Sequence, residues 1–70
     1  MTSAVPPSEQ ALLDRIMSIL DRSPYPDESV ASSEVCHKLH EFRALHGLER
    51  RGLVQVEIEQ DEAWIRRPGV

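Results

Sequence analysis

Cysteines, aromatic residues and long apolar runs are all scarce in this 70-residue chain. Cys36 is the only cysteine, which excludes a disulfide within the chain, whereas secreted domains of this size usually contain several. No apolar run approaches the roughly 18 residues of a membrane span. Residues 1–7 also lack the basic and apolar stretches of a signal peptide. We therefore expect a soluble cytoplasmic protein with no membrane partner.

Signatures of catalysis are also missing. The chain has neither a glycine-rich phosphate loop nor a nucleophile elbow. Its length allows one small domain, which offers no deep pocket between layers. The adjacent acids Asp61 and Glu62 fall in a predicted turn, where water solvates them. We predict that the protein is not an enzyme and carries no cofactor.

Cys36, His37 and His40 form a cluster with the pattern Cys-His-x-x-His. On a helix, Cys36 and His40 would lie one turn apart and could bind a transition metal. A complete tetrahedral site needs further ligands, which a second subunit could supply. The simpler interpretation makes Cys36 a core residue and both histidines surface groups. We adopt it and predict no metal site.

The charged residues are unevenly distributed along the chain. Overall, 8 Lys and Arg stand against 12 Asp and Glu, giving a formal net charge of −4. That sign does not suit a generic DNA-binding protein, whose affinity comes largely from neutralising phosphates. However, residues 35–52 contain four Lys and Arg against two Glu, a net of +2, whereas residues 53–63 contain four acids and no base. We therefore expect one basic surface and one acidic surface.

A single apolar stripe predicts a first helix over residues 9–22. Its members recur at helical spacing: Leu12, Leu13, Ile16, Ile19 and Leu20. Ser8 is the expected N-cap, because its hydroxyl can accept a backbone N–H bond. Pro24 and Pro26 cannot continue the helix. Residues 1–7 are expected to be a disordered N-terminal segment.

A second helix is predicted after a short extended segment at Val30 and Ala31. Ser32 or Ser33 is the expected cap. The side chains expected to point inward from this helix are Val35, Cys36 and Leu39.

A third helix is predicted to end at Gly52, in the left-handed conformation that glycine favours. Its expected inward side chains are Phe42, Leu45 and Leu48. No glycine or proline marks the break between the second and third helices, and we place a tight turn at residues 39–41.

From Leu53 onward the apolar residues alternate with polar ones, which indicates a half-buried strand. The side chains expected on its core face are Val54, Val56 and Ile58. Residues 60–62 form the predicted turn. The returning strand, Ala63–Ile65, is expected to place Trp64 against the core. Residues 67–70 are expected to be a tail.

This order of elements, with the run from Leu45 to Val54, resembles a winged helix-turn-helix recognition helix entering its wing. Ser32–Leu39 resembles the second helix of that family. The resemblance covers residues 8–66 and implies an α+β domain with three helices and a C-terminal two-stranded β-hairpin, with a possible short third strand near Val30. A narrower similarity to Z-alpha domains, which bind left-handed nucleic acid, rests on the spacing from Gly52 to Trp64.

Two features depart from the winged helix-turn-helix pattern. If Leu39 ends the second helix, the segment before Leu45 is short and lacks the usual glycine turn. A register that matches Ala31 to the usual alanine restores the length but puts Glu34 where a leucine is expected. The predicted hairpin, residues 57–62, is also acidic where a DNA-contacting wing is usually basic.

The resemblance implies a transcription regulator, commonly a homodimer, that reads double-stranded DNA with its third helix. Arg43, His46 and Arg50 are spaced to share one helix face, which would enter the major groove. The residues expected to hold phosphates are Lys38, Arg51, Arg66 and Arg67. The alternative is a protein–protein interaction module that binds a partner through the acidic hairpin or an apolar patch.

Overall fold

A computed structural model describes residues 5–69, which contain three helices and three strands. In chain order these are α1 (Pro7–Leu20), β1 (Ser29–Ala31), α2 (Ser32–Val35), α3 (Leu39–Arg50), β2 (Gln55–Glu59) and β3 (Glu62–Arg66). The strands form one antiparallel sheet in the order β1-β3-β2. The predicted α+β class, with three helices and a C-terminal hairpin, is confirmed, and the short strand near Val30 is β1.

Helix α1 begins earlier than predicted because two prolines start it. Pro6 is the N-cap and Pro7 the first helical residue, where the missing N–H of proline costs nothing. Ser8 lies inside the helix, so the predicted Ser8 cap is wrong. The buried face consists of Leu12, Ile16 and Leu20. Of the predicted N-terminal segment, residues 1–4 lie outside the described residues, and Val5 packs against the core.

The break between α2 and α3 lies at residues 36–38, so the turn predicted at 39–41 is wrong. The side chain of Glu41 explains why the break lies there. Its Oε1 accepts the backbone N–H groups of His37 at 2.9 Å and Lys38 at 3.0 Å, which caps the start of α3. Neither Ser32 nor Ser33 caps α2, because both hydroxyls donate to Glu62 instead.

The earlier start of α3 changes which of its side chains are buried. The inward face consists of Ala44, Leu45 and Leu48. Leu39 is 68% exposed and Phe42 is 44% exposed, so the prediction that they belong to the core is wrong. Val35 and Cys36 are buried, as predicted.

Gly52 ends the α3 segment in the left-handed conformation, with φ of +76°. The Gly52 N–H donates to the carbonyl of Glu49, and the Leu53 N–H donates to the carbonyl of Leu48, both at 3.0 Å. This pair of bonds is the Schellman motif, which satisfies carbonyls at a helix end. The predicted glycine cap is confirmed.

Strands β2 and β3 form a hairpin around two residues, Gln60 and Asp61, with φ of 53° and 63°. Two successive positive φ values are typical of the tightest hairpin turns. Ile65, not Trp64, enters the core: it is fully buried and pairs with Val30 and Val56. The prediction that Trp64 packs against the core is wrong.

One hydrophobic cluster joins the helices to the sheet. Its buried members are Leu12, Ile16, Leu20, Val30, Val35, Cys36, Ala44, Leu45, Leu48, Val54 and Ile65. Val54 and Val56 contribute as predicted, but Ile58 lies beyond the cluster and is 74% exposed. Within residues 5–69, no helix has the length and apolar character that crossing a membrane requires.

Candidate nucleic-acid interface on helix α3

The outer face of α3 presents the predicted basic stripe. Successive residues of an α-helix are rotated by about 100°, so Leu39, Arg43, His46 and Arg50 fall within an arc of about 60°. All four side chains are exposed. The buried residues of α3 lie on the opposite side. We call the exposed residues Lys38, Leu39, Phe42, Arg43, His46, Glu49 and Arg50 the outer face. Its one acid, Glu49, lies 4.0 Å from His46, between the Oε1 and Nδ1 atoms.

Half of the lysines and arginines of the chain are held in ion pairs. The four pairs are Arg15–Glu41, Arg51–Glu9 and Arg66–Glu57, each at 2.8 Å, and Arg67–Asp21 at 2.7 Å. The cations without a carboxylate within 4.0 Å in residues 5–69 are Arg22, Lys38, Arg43 and Arg50. Three of these four belong to the outer face of α3.

The predicted phosphate-binding residues therefore fall into two groups. Lys38 lies exposed at the start of α3, next to the stripe. Arg66 and Arg67 lie at the end of β3, and Arg67 reaches back to Asp21 at the end of α1. The Nε of Arg66 is buried and makes no hydrogen bond. The structure does not bring these last two arginines onto the outer face.

Arg51 is held at the crossing of α1 and α3 by Glu9. Its Nε donates to Glu9 Oε1 at 2.8 Å, and the Glu9 side chain is only 14% exposed. Gly47 makes room for this carboxylate, because a Cβ at position 47 would lie 2.6 Å from Glu9 Oε2. Gly47 thus has a packing role, and the charge of Arg51 is already balanced by Glu9.

Arg15 and Glu41 position the start of α3. Arg15 Nη1 donates to the carbonyl of Val35 at 2.7 Å and to Glu41 Oε2 at 2.8 Å. The backbone N–H of His37 is the largest cause that lowers the pKa of Glu41 to about 2, followed by the hydrogen bond from Arg15. Glu41 is therefore ionised at neutral pH and ties α1, the linking residues and α3 together.

Sequence reasoning missed Glu9, Arg15 and Glu41. For Glu41 a local signal existed, because it lies three residues after Lys38, in the N3 position of a capping box. No local signal indicates Arg15 or Glu9, whose partners lie 26 and 42 residues away.

The Cys36–His37–His40 cluster does not assemble. Cys36 is buried, and its thiol lies 3.7 Å from the carbonyl of Glu41, whereas both histidines are exposed. Burial raises the pKa of the Cys36 thiol, and the Glu41 carboxylate raises it further. In the described part of the chain, no group of three or more His, Cys, Asp or Glu side chains is arranged to hold a metal ion.

The acids of the hairpin are partly engaged. Glu57 pairs with Arg66, and Glu62 accepts the hydroxyls of Ser32 and Ser33 at 3.1 Å. Glu59 and Asp61 are exposed at the turn. The hairpin tip therefore remains acidic, as predicted from the sequence.

No family model, curated protein or solved structure matches this chain.

Proposed function

We propose that this protein is a winged helix-turn-helix regulator that binds duplex DNA with the outer face of α3. The order helix, strand, helix, helix, strand, strand supports this proposal, as does the sheet order β1-β3-β2. In such a domain the third helix enters the major groove and the hairpin flanks it as the wing. Many functions use this architecture, so only the surface of α3 favours DNA over other partners.

The single observation that carries the proposal is the distribution of unpaired cations. Lys38, Arg43 and Arg50 lack carboxylate partners in residues 5–69, although acids outnumber bases in the chain. Arg43 and Arg50 are two turns apart, about 10 Å along the helix axis. An arginine fork can bind a phosphate or the O6 and N7 atoms of guanine. The outer face therefore suits a polyanion.

The net charge of −4 predicts weak binding, because the field of the whole domain repels phosphates. Arg51, Arg66 and Arg67 are already neutralised by Glu9, Glu57 and Asp21, so they contribute little to phosphate binding. The exposed acids at the hairpin turn disfavour insertion of the wing into a groove. Binding then depends on α3, and a dimer would double the number of contacts.

The test is a titration of the protein into a fluorescently labelled random-sequence duplex at low and at rising salt. We expect log K to fall linearly with log salt, with a slope of roughly −2 to −3 for two or three phosphate contacts. The double variant Arg43→Ala/Arg50→Ala should bind much more weakly. Arg22→Ala is the matched control, because Arg22 is also exposed and unpaired but lies beyond the end of α1. Absence of binding at low salt by a folded protein refutes the proposal.

The exposed apolar side chains favour a second candidate, a protein-binding module. Leu39 and Phe42 on α3 and Ile58 on the hairpin are large apolar side chains that remain in water. Surfaces that combine aromatic residues and arginine are typical of protein interfaces. Under this candidate the protein binds no DNA at low salt, and Phe42→Ala weakens association with a partner or with a second copy, which light scattering detects.

A further inference from the structure

We propose, building on the proposed DNA binding, that Leu39 and Phe42 give the outer face a preference for thymine. In this inference the two side chains contact the C5-methyl groups of thymine in the major groove. The basic residues beside them hold the backbone and neighbouring bases.

Leu39 and Phe42 are both exposed to water. Among residues 5–69, four large apolar side chains are exposed, and two of them are Leu39 and Phe42, on adjacent turns of one helix. The other leucines of α3, Leu45 and Leu48, are 5% and 0% exposed. The exposed pair therefore forms a small apolar patch at the N-terminal half of the outer face.

The fold leaves no way to bury this patch by rotating α3. Ala44, Leu45 and Leu48 fix the inward side of the helix, and the contact between Arg15 and Glu41 fixes its start. Two apolar side chains spaced i, i+3 contribute only a few tenths of a kcal/mol to an isolated helix. That local gain does not require residues as large as leucine and phenylalanine at exposed positions.

The chemistry of the neighbouring side chains selects the ligand. Arg43 follows Phe42 directly, and His46 lies on the next turn of the same face. The outer face thus has apolar groups and unpaired cations within one turn of α3. A major groove that contains thymine offers a partner for each kind of group. There the thymine methyl is the apolar group of the base edges, and the phosphates and guanine accept from arginine. An uncharged apolar partner would leave Arg43 unpaired.

The experiment compares two duplex pools of the same random sequences, one made with thymidine and one with deoxyuridine. Deoxyuridine lacks only the C5-methyl group, so charge and base pairing are unchanged. We expect the full chain to bind the thymidine pool about fourfold to fifteenfold more tightly, the effect of burying one or two methyl groups. The double variant Leu39→Ala/Phe42→Ala should bind both pools equally. Ile58→Ala, which removes an exposed apolar side chain from the hairpin, should keep the preference.

Each outcome decides between the proposals. Equal binding of both pools by the unaltered protein overturns the thymine preference and leaves DNA binding intact. A preference that survives in Leu39→Ala/Phe42→Ala also overturns it, because another part of the surface then reads the methyl group. Absence of binding to either pool overturns DNA binding and the thymine preference together and favours a protein partner for the apolar patch. Circular dichroism establishes that each variant is folded.

Discussion

The guanidinium of Arg15 lies 2.8 Å from the carboxylate of Glu41 and joins the middle of α1 to the first turn of α3. The same arginine binds the carbonyl of Val35, the last residue of α2. Two side chains thus hold all three helices, in a chain too short for a large core. Because Glu41 also caps α3, this contact decides where the helix begins and which residues form its outer face.

The Glu41 contact predicts a loss of stability in acid. The pKa of Glu41 is about 2 in the folded protein, against an ordinary value of 4.5. A lowered pKa means that the stabilisation is complete above pH 4.5 and is lost as pH falls from 4.5 toward 2. Urea denaturation at pH values from 6 to 2 should show the midpoint falling over this range. Glu41→Gln should have a lower midpoint at pH 6 and a shallower fall below it. An unchanged pH dependence in Glu41→Gln contradicts the role given to this carboxylate.

Leu39 and Leu48 provide a matched pair on one helix. Leu48 is fully buried, so Leu48→Ala should reduce the free energy of unfolding by about 2–5 kcal/mol, enough to unfold much of a domain this small. Leu39 is 68% exposed, so Leu39→Ala should change the free energy of unfolding by less than about 0.5 kcal/mol. Thermal denaturation of both variants checks this. A large loss in Leu39→Ala would restore the sequence-based expectation that Leu39 belongs to the core.

Gly47 and Glu9 should be energetically coupled. Replacing a helix-interior glycine by alanine ordinarily stabilises by about 1 kcal/mol. Here the new Cβ would lie 2.6 Å from the Glu9 carboxylate and displace it from Arg51. We therefore expect Gly47→Ala to stabilise the Glu9→Ala variant more than the unaltered protein. Urea denaturation of the four proteins measures this coupling, and an identical effect of Gly47→Ala in both backgrounds refutes it.

Under the proposed DNA binding, the paired arginines should contribute less to affinity than the unpaired ones. Removing Arg43 and Arg50 should make the slope of log K against log salt shallower by about 2. Removing Arg66 and Arg67, which removes the same charge, should change that slope by less than about 1, since Glu57 and Asp21 already neutralise these residues. The titrations of both double variants provide the comparison. Equal changes in slope would mean that DNA displaces the carboxylates.

Local sequence patterns predicted the elements whose causes are themselves local. The apolar stripe of α1, the alternation at Val54 and Val56 and the position of Gly52 all appear in the structure as expected. In each case a repeat or a single backbone requirement within a few residues decides the outcome. The same reasoning found the exposed stripe of α3, because its spacing is helical whatever the starting residue.

Only the tertiary structure decided the exposure of Leu39 and Phe42 and the choice of Ile65 over Trp64 for the core. It also decided which arginines are neutralised, because the carboxylates that bind Arg51 and Arg67 lie 42 and 46 residues away in the chain. Spacing along a sequence specifies which side chains share a face of one helix or strand. Which face turns inward, and which charge meets its opposite, depends on atoms that only folding brings within a few ångströms.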